Sequence, residues 1–506
     1  MSEKEPDVEN TPGTVEAMQK STSTASSDGE PQQEQQDQYL VTWDGENDPT
    51  NPLNWSRGKK IIHIAMVSGL TFVTPLASSM FAPGVPYVLQ RFQQSNEVLA
   101  SFVVSVYLVG YAFGPLLCAP LCELYGRAIV YQVTNVLYLG FSIGCAAAPS
   151  FNSLIGLRFL AGAAGSAPLV LGGGTIADLY KREERGAKMS IFSMGPLMGP
   201  VIGPIAGAFV AQDVSWRWVF WIISIAAGVC TVFCLIFMRE TYAPVLLDRK
   251  AKKVRAETGN PLYKTMYDTG DTPKDVFVKA LSRPTLMFVK SPTVFIFTMY
   301  LSIIYGFTYL LFVTITQVFE STYGFSTGIA GLAFLGIGIG MFLGLAVFGA
   351  TSDRRIRSLK AKAEAKGGTV NDVPPEVRLE GMIGAAVVIP IGLFWYGWSA
   401  EKEIHYIMPI IGTGLFGLGN IGIFIAVQTY LVDCYPLYAA SVTSTHTVVR
   451  SLLGAFLPLA GRPLYRDLGL GWGNSLLGFV AVAMIPVPLV LLKYGGRVRE
   501  KFQVKF

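Results

Sequence analysis

Residues 195–207 read Gly-Pro-Leu-Met-Gly-Pro-Val-Ile-Gly-Pro-Ile-Ala-Gly. Gly195, Gly199, Gly203 and Gly207 recur at every fourth position, and Pro196, Pro200 and Pro204 follow the first three. A step of four advances an α-helix by about 400°, so the glycines form one slowly drifting stripe and the prolines a second stripe beside it. No charge interrupts the segment between Lys188 and Asp213. Such a segment would not hold a helix in water. In hydrocarbon the backbone has no other hydrogen-bond partner, so helix is forced and Gly and Pro are tolerated. The glycine stripe admits close approach of a second helix, and the prolines bend the rod. These residues predict a bent membrane helix with a stiff packing seam.

The whole chain repeats this at coarser scale. Hydrophobic residues make up 51% of it and charged residues 15%, against about 25% charge in a soluble domain; the mean hydropathy is +0.42. Twelve apolar spans are long enough to cross about 30 Å of hydrocarbon. They are Ile61–Ala82, Val98–Ala119, Ile129–Ala147, Ser153–Ala177, Ala187–Ala211, Trp218–Met238, Val294–Val318, Gly328–Ala350, Gly381–Trp398, Tyr406–Val432, Ala440–Gly461 and Trp472–Leu492. The first long apolar run begins near Ile61, so no cleavable signal peptide is expected.

Charge divides the chain. Residues 1–50 carry twelve acids against Lys4 and Lys20, and the whole chain is +5, which leaves +15 for the remainder. The head is polar and short of aliphatic residues, and residues 1–55 are expected to form a disordered acidic tail. The excess cations follow even-numbered spans: Lys181, Arg182, Arg185 and Lys188; Arg249 to Arg255; Arg354, Arg355, Arg357, Lys360 and Lys362; Arg497, Arg499 and Lys501. By the positive-inside rule both termini and these loops face the cytoplasm. The basic balance thus reports topology and contact with the lipid bilayer, not nucleic acid. The six cysteines fall in or beside spans without a CxxC pair, and free thiols are expected.

The chain reads as an all-α membrane protein of twelve transmembrane helices in two pseudo-symmetric six-helix halves, 56–238 and 293–493. A central loop, 239–292, joins them, and a short tail, 494–506, closes the chain. Glu123-Leu-Tyr-Gly126-Arg127 follows span 2, and Asp353-Arg354-Arg355-Ile356-Arg357 follows span 8. Asp178-Leu-Tyr180 ends span 4, and Asp433-Cys-Tyr435 ends span 10. Parallel six-span halves are an architecture of secondary transporters.

These residues carry a resemblance. From about Trp43 onward the chain resembles the major facilitator superfamily and, within it, the fungal twelve-span drug:proton antiporters. Ala119-Pro-Leu-Cys-Glu123-Leu-Tyr-Gly126-Arg127 is similar to the superfamily's loop 2/3 motif, with Ala for its leading Gly, Glu for Asp, and Ala128 for its trailing base. Leu154-x3-Arg158-x2-Ala161-Gly162 is similar to the span-4 motif. Gly195-x3-Gly199-Pro200-x2-Gly203-Pro204, running on to Gly207, is similar to the span-5 antiporter motif, with Pro204 replacing its second Gly. Glu240-Thr-Tyr-Ala-Pro244 and Asp48-Pro-x-Asn51-Pro-x-Asn54-Trp55-Ser56 look specific to the fungal subgroup. The resemblance implies a monomeric, proton-coupled exporter of small organic molecules in the plasma membrane. An importer of polyamines, sugars or organic acids is the alternative of the same fold.

Arg158 lies roughly 12 Å inside its span by helix rise, a depth at which an arginine is costly and marks a functional site by default. The resemblance implies that it couples protons to substrate. The bland alternative is an arginine bonded to backbone carbonyls that fixes packing. Asp178 is about 30 Å further along the helix, out of reach of Arg158. Glu123, Arg127 and Asp178 read instead as an ionic latch at the cytoplasmic mouth, with Asp353 and Asp433 as counterparts in the second half. No Asp or Glu lies deep in a span, so Asp178, Glu123 and Asp433 are the remaining proton-bearing candidates. Arg450, in span 11, is a second intramembrane arginine. Tyr107, Tyr111, Tyr305, Tyr309, Gln317 and Gln428 are candidates, with Arg450, to line a cavity between the halves. Their aromatic faces suit flat or cationic organics. Gly336, Gly340 and Gly344 make a stripe in span 8, which predicts that span 5 packs on span 8 glycine to glycine.

Enzyme signatures find no context. Gly140-Phe-Ser142-Ile-Gly144 spells a nucleophile elbow inside span 3 with no strand before it. Gly412-x-Gly414-x-x-Gly417 spells a dinucleotide fingerprint inside an apolar span. With no P-loop and no metal-ligand set, neither a cofactor nor a metal is expected, and the chain is not expected to be an enzyme.

Overall fold

The computed structural model describes residues 39–181, 184–268, 270, 272–364, 374–435 and 439–502. Most of the acidic head, residues 1–38, lies outside the described residues, as do residues 503–506. The chain divides into two units, one of residues 1–46 with 246–270, the other of 47–245 with 271–506. In the first, β1 (Leu40–Val41) pairs in parallel with β2 (Lys264–Thr265). Lys250 Nζ reaches Asp44 Oδ1 at 2.6 Å and donates to the Thr42 carbonyl at 2.9 Å. Residues 39–55 belong to the stretch expected to be disordered; of these, β1 is held by backbone pairing and by the buried Val41.

The second unit holds the spanning helices. They are α1 (Arg57–Ser79), α2 (Glu97–Tyr125), α3 (Arg127–Ala147), α4 (Phe151–Leu179), α5 (Arg185–Asp213) and α6 (Trp216–Phe237). The second six are α7 (Pro292–Tyr323), α8 (Thr327–Gly349), α9 (Leu379–Glu401), α10 (Ile407–Cys434), α11 (Ala439–Phe456) and α12 (Gly461–Met484). Polar residues set the ends. Asn96 accepts from Val98 N and Leu99 N to start α2, and Ser150 and Ser153 cap each other at α4. Ser291 starts α7 with Pro292 in the first turn, and Gly324 ends it in the left-handed conformation. The last apolar stretch, Ser441–Arg499, has 59 residues, about 88 Å as helix, too long for one crossing. A 3-10 turn at Leu457–Ala460 separates α11 from α12, and the break at Gly469 (φ 76°, ψ 175°), inside α12, turns the chain between two crossings. The chain thus crosses twelve times.

The halves pack alike. α1 lies on α5, α2 on α4 and α3 on α6; α7 lies on α11, α8 on α10 and α9 on α12. The halves meet where α2 touches α11 and α5 touches α8. The glycine stripes do not make that second contact as the sequence predicts. A Cβ on Gly195, Gly199 or Gly203 would sit 2.7–2.9 Å from atoms of Thr71, Phe72, Leu76 or Ser79, and one on Gly207 would overlap the Met80 carbonyl. The stripe is a seam within the first half, against α1. Gly336, Gly340 and Gly344 likewise press on Ile410, Gly414 and Leu418 of α10. α5 reaches α8 through other residues, with Gly338 against Val201 and Gly331 against Ala208. Each helix has several faces, and periodicity alone does not say which neighbour takes the glycine face.

Candidate functional site between and within the halves

Arg158 is 1% exposed. Its Nη2 donates to the Val104 carbonyl at 3.0 Å and to the Ser78 carbonyl at 3.3 Å. Ser78 stands in the last turn of α1, where carbonyls lack intrahelical partners and the helix dipole is negative. The rings of Phe81, Tyr107 and Phe220 lie 5.0, 5.4 and 5.7 Å from the guanidinium carbon. A helix end and three aromatic faces thus stand in for a carboxylate. A cavity of about 10 Å³, lined by Arg158, Tyr107, Ser142 and Cys145 among others, adjoins it. This is the carbonyl-bonded geometry that the sequence leaves open beside the coupling role.

A string of contacts leads from Arg158 into the second half. Ser78 Oγ and Tyr309 Oη are 2.8 Å apart. The Tyr309 and Tyr305 rings are 5.0 Å apart, and the Arg450 guanidinium sits 4.6 Å from the Tyr305 ring. Tyr107 donates to the Thr74 carbonyl at 2.9 Å and packs on Tyr111 at 5.1 Å. Four of the candidate tyrosines therefore gather at the junction of α1, α2 and α7, although Tyr107, Tyr111 and Tyr309 are buried and spend their surface on packing. Gln428, half-buried, donates to Thr443 Oγ1 at 3.3 Å. Gln317 is exposed and stands apart from the cluster.

At the far ends of α2 and α4, Arg127 forms a two-bonded ion pair with Asp178, its Nη2 lying 3.5 Å from Oδ1. Thr241 Oγ1 donates to the same carboxylate at 3.1 Å. Glu123 does not complete this cluster. It is exposed, in the field of Arg283 and Arg127. Glu240 takes that place, accepting from Arg127 N at 2.9 Å, Ala128 N at 3.2 Å and Tyr242 N at 2.9 Å. Gly126 has φ +93°, and a Cβ there would strike the Glu240 carboxylate. Tyr242 lies 5.0 Å under the Arg127 guanidinium, and burial, with the Glu123 charge adding, pushes its hydroxyl up to about 12. Arg127 and Asp178 both belong to the first half, and Glu240 opens the central loop that follows it, so the pair fastens α3 to α4 and does not itself bridge the halves.

In the second half Asp433 pairs with Arg378 at 2.9 Å. The Asp353 side chain lies outside the described residues. Arg378 immediately precedes α9 as Arg127 opens α3, so each half pairs an arginine before its third span with an aspartate ending its fourth. Arg355 turns to Glu380 at 2.9 Å. On the opposite face three bonds tie the halves together. Tyr87 Oη meets Thr327 Oγ1 at 3.1 Å, Gly328 N donates to Gln212 Oε1 at 2.7 Å, and Arg466 pairs with Glu97 at 3.0 Å. Glu240 and Arg378 were missed in the sequence because each acts on a partner more than fifty residues away. Arg378 has a signal, its position just before a third span.

Comparison with known proteins matches this architecture. The chain is 51% identical over 482 residues to the MFS-type transporter penM of Penicillium rubens, covering 95% of this chain and 94% of the relative. It is 47% identical to the MFS transporter cpaT of Aspergillus oryzae, covering 92% and 93%. It is 44% identical to the efflux pump radE of Floropilus chiversii, covering 94% and 88%. Among solved structures it is similar to a D-xylose–proton symporter, with TM-score 0.62 and 17% identity over 86% of this chain and 97% of that one, a likeness of fold alone. Residues 67–458 match the family model described as Major Facilitator Superfamily. With that match across most of its length, twelve crossings and two six-helix halves, the chain belongs to the major facilitator superfamily and is a multi-pass membrane transporter, not an enzyme.

Proposed function

We propose that this transporter exports small organic molecules from a fungal cell across the plasma membrane, by alternating access and in exchange for protons. The observation that carries the reading is the string from Arg158 through Ser78 to Tyr309. It links a buried charge of one half to a hydroxyl of the other half through Ser78, and the reading takes the cargo to pass beside that link, between the halves. An arginine does not shed its proton, so Arg158 acts by setting the field for groups that do. The halves are tied at Tyr87, Gln212 and Glu97, and the reading takes this face as the outer gate in its closed state. Export is supported by the efflux pump among the relatives and by the span-5 ladder. The cations of the even-numbered loops support cytoplasmic termini, and a monomer suffices for the mechanism.

The test uses inverted plasma-membrane vesicles from yeast producing the full chain. With an acidic lumen they should accumulate a set of fluorescent organic dyes, and a protonophore should abolish the uphill component. Arg158→Lys keeps the charge but not the planar fork of donors, and should reach the vesicles while losing uphill accumulation. Accumulation indifferent to the protonophore, or movement only in the uptake direction, would defeat the proposal.

A further inference from the structure

The two buried arginines are not equivalent. Arg158 spends Nη2 on two carbonyls. Arg450 is 8% exposed, and among the described residues no hydrogen bond or ion pair reaches its guanidinium; its Nε is buried without a partner. It lies between the faces of Tyr305, at 4.6 Å, and Phe424, at 5.5 Å. These two rings, with Gln428 and Thr443, are only half-buried, so the cage has an open side. His446, one turn before Arg450, is 2% exposed with neither ring nitrogen bonded, and Gln428 Oε1 is also unpaired. Unpaired polar atoms thus gather where α7, α10 and α11 meet, the Arg450 guanidinium supplying the charged donors among them. Neither α4 nor α11 contains an Asp or Glu within two turns of its arginine.

We infer that Arg450 recognises an anionic, ring-bearing cargo: a carboxylate, enolate or phenolate joined to a planar body. A planar guanidinium with free N–H groups is built for two-point bonding to such oxygens. A buried cation lacking a counter-charge gains most from an anion that supplies one. A cationic cargo would meet two fixed positive charges and no carboxylate, in a medium that screens poorly. Of the tyrosine faces that the sequence offers to cations, Tyr305 is taken by Arg450 and Tyr107 by Arg158; the cargo's rings are left the open edges of Tyr305 and Phe424. The inference rests on the export reading for the site's purpose, while equilibrium binding examines it without any gradient.

The experiment is a thermal-unfolding titration of the purified full chain with three probes of one shape: 2-naphthoate, 2-naphthalenemethanol and 2-naphthylmethylammonium. Naphthoate should stabilise the protein, the alcohol less, and the ammonium not at all. Arg450→Gln should weaken the naphthoate response at least about tenfold, the scale of one charge-assisted hydrogen bond. Arg450→Lys, which keeps charge and bulk without the fork, should fall between, and it serves alone if the glutamine variant does not fold. Equal stabilisation by the ammonium, no response to naphthoate in the unaltered protein, or an undiminished response in the Lys variant overturns the inference. Naphthoate binding with no outward, proton-driven movement would sink the export reading and leave this one standing.

Discussion

Two aspartates in corresponding places are held differently. The side chains of Arg127 and Asp178 are 14% and 16% exposed, whereas those of Arg378 and Asp433 are 20% and 41% exposed. Removing one partner of a largely buried pair strands the other charge, at a cost of about 3 kcal/mol; an exposed pair is worth under about 1 kcal/mol. Asp178→Asn should therefore lower the unfolding temperature of the purified protein clearly, and Asp433→Asn should barely move it. Equal shifts would mean that burial does not separate the two pairs. The N-half ion pair was legible because both residues close short motifs at helix ends. Glu240 was not, since two of its backbone donors, Arg127 N and Ala128 N, become its neighbours only when the start of α3 meets the chain just after α6. Sequence depth marked Arg158 and Arg450 equally. Only coordinates separate the arginine whose Nη2 is held by two carbonyls from the one that no hydrogen bond reaches among the described residues; the Nε of each is buried without a partner.

At the scale of an element, α5 carries its three prolines inside one continuous helix of 29 residues and lays its glycines on α1. Gly199→Leu must push a side chain into the Leu76 backbone, 2.7 Å from the position its Cβ would take. It should abolish transport and reduce the amount of protein in the membrane. Gly156, in α4, has nothing within 4 Å of its would-be Cβ, so Gly156→Ala should leave transport intact; helix propensity favours it by up to about 1 kcal/mol. Normal transport by the Leu variant, with surface level measured in parallel, would refute the seam. The step-four ladder announced a close-packed face. Its partner was misjudged because the α5–α8 contact is real but runs along a neighbouring face, through Val201 and Ala208.

For the whole molecule, the twelve crossings and the two halves were readable from span length, loop charge and the recurrence of acidic motifs. The end of the head was not, because a two-residue strand depends on a partner more than two hundred positions away. Removal of residues 1–38 should leave transport per surface molecule unchanged, since that stretch is too polar to bury a core. Removal through residue 43 takes β1 with it and exposes the face of β2, and should lower the surface level. Loss of transport in the shorter truncation, at normal surface level, would show that the acidic head has a part in the cycle.

The acid-free middle of the bundle bears on energetics as well as recognition. Neither α4 nor α11 offers Arg158 or Arg450 an Asp or Glu within two turns, and the anionic cargo inferred for Arg450 supplies that counter-charge. An anion leaving the cell and a proton entering it both carry current in the same electrical sense. Each elementary charge crossing the membrane is worth about 2.3 kcal/mol per 100 mV, and two charges moved per cycle draw on the membrane voltage twice. Such a carrier would be electrogenic, and voltage alone, without a pH difference, would suffice to drive it.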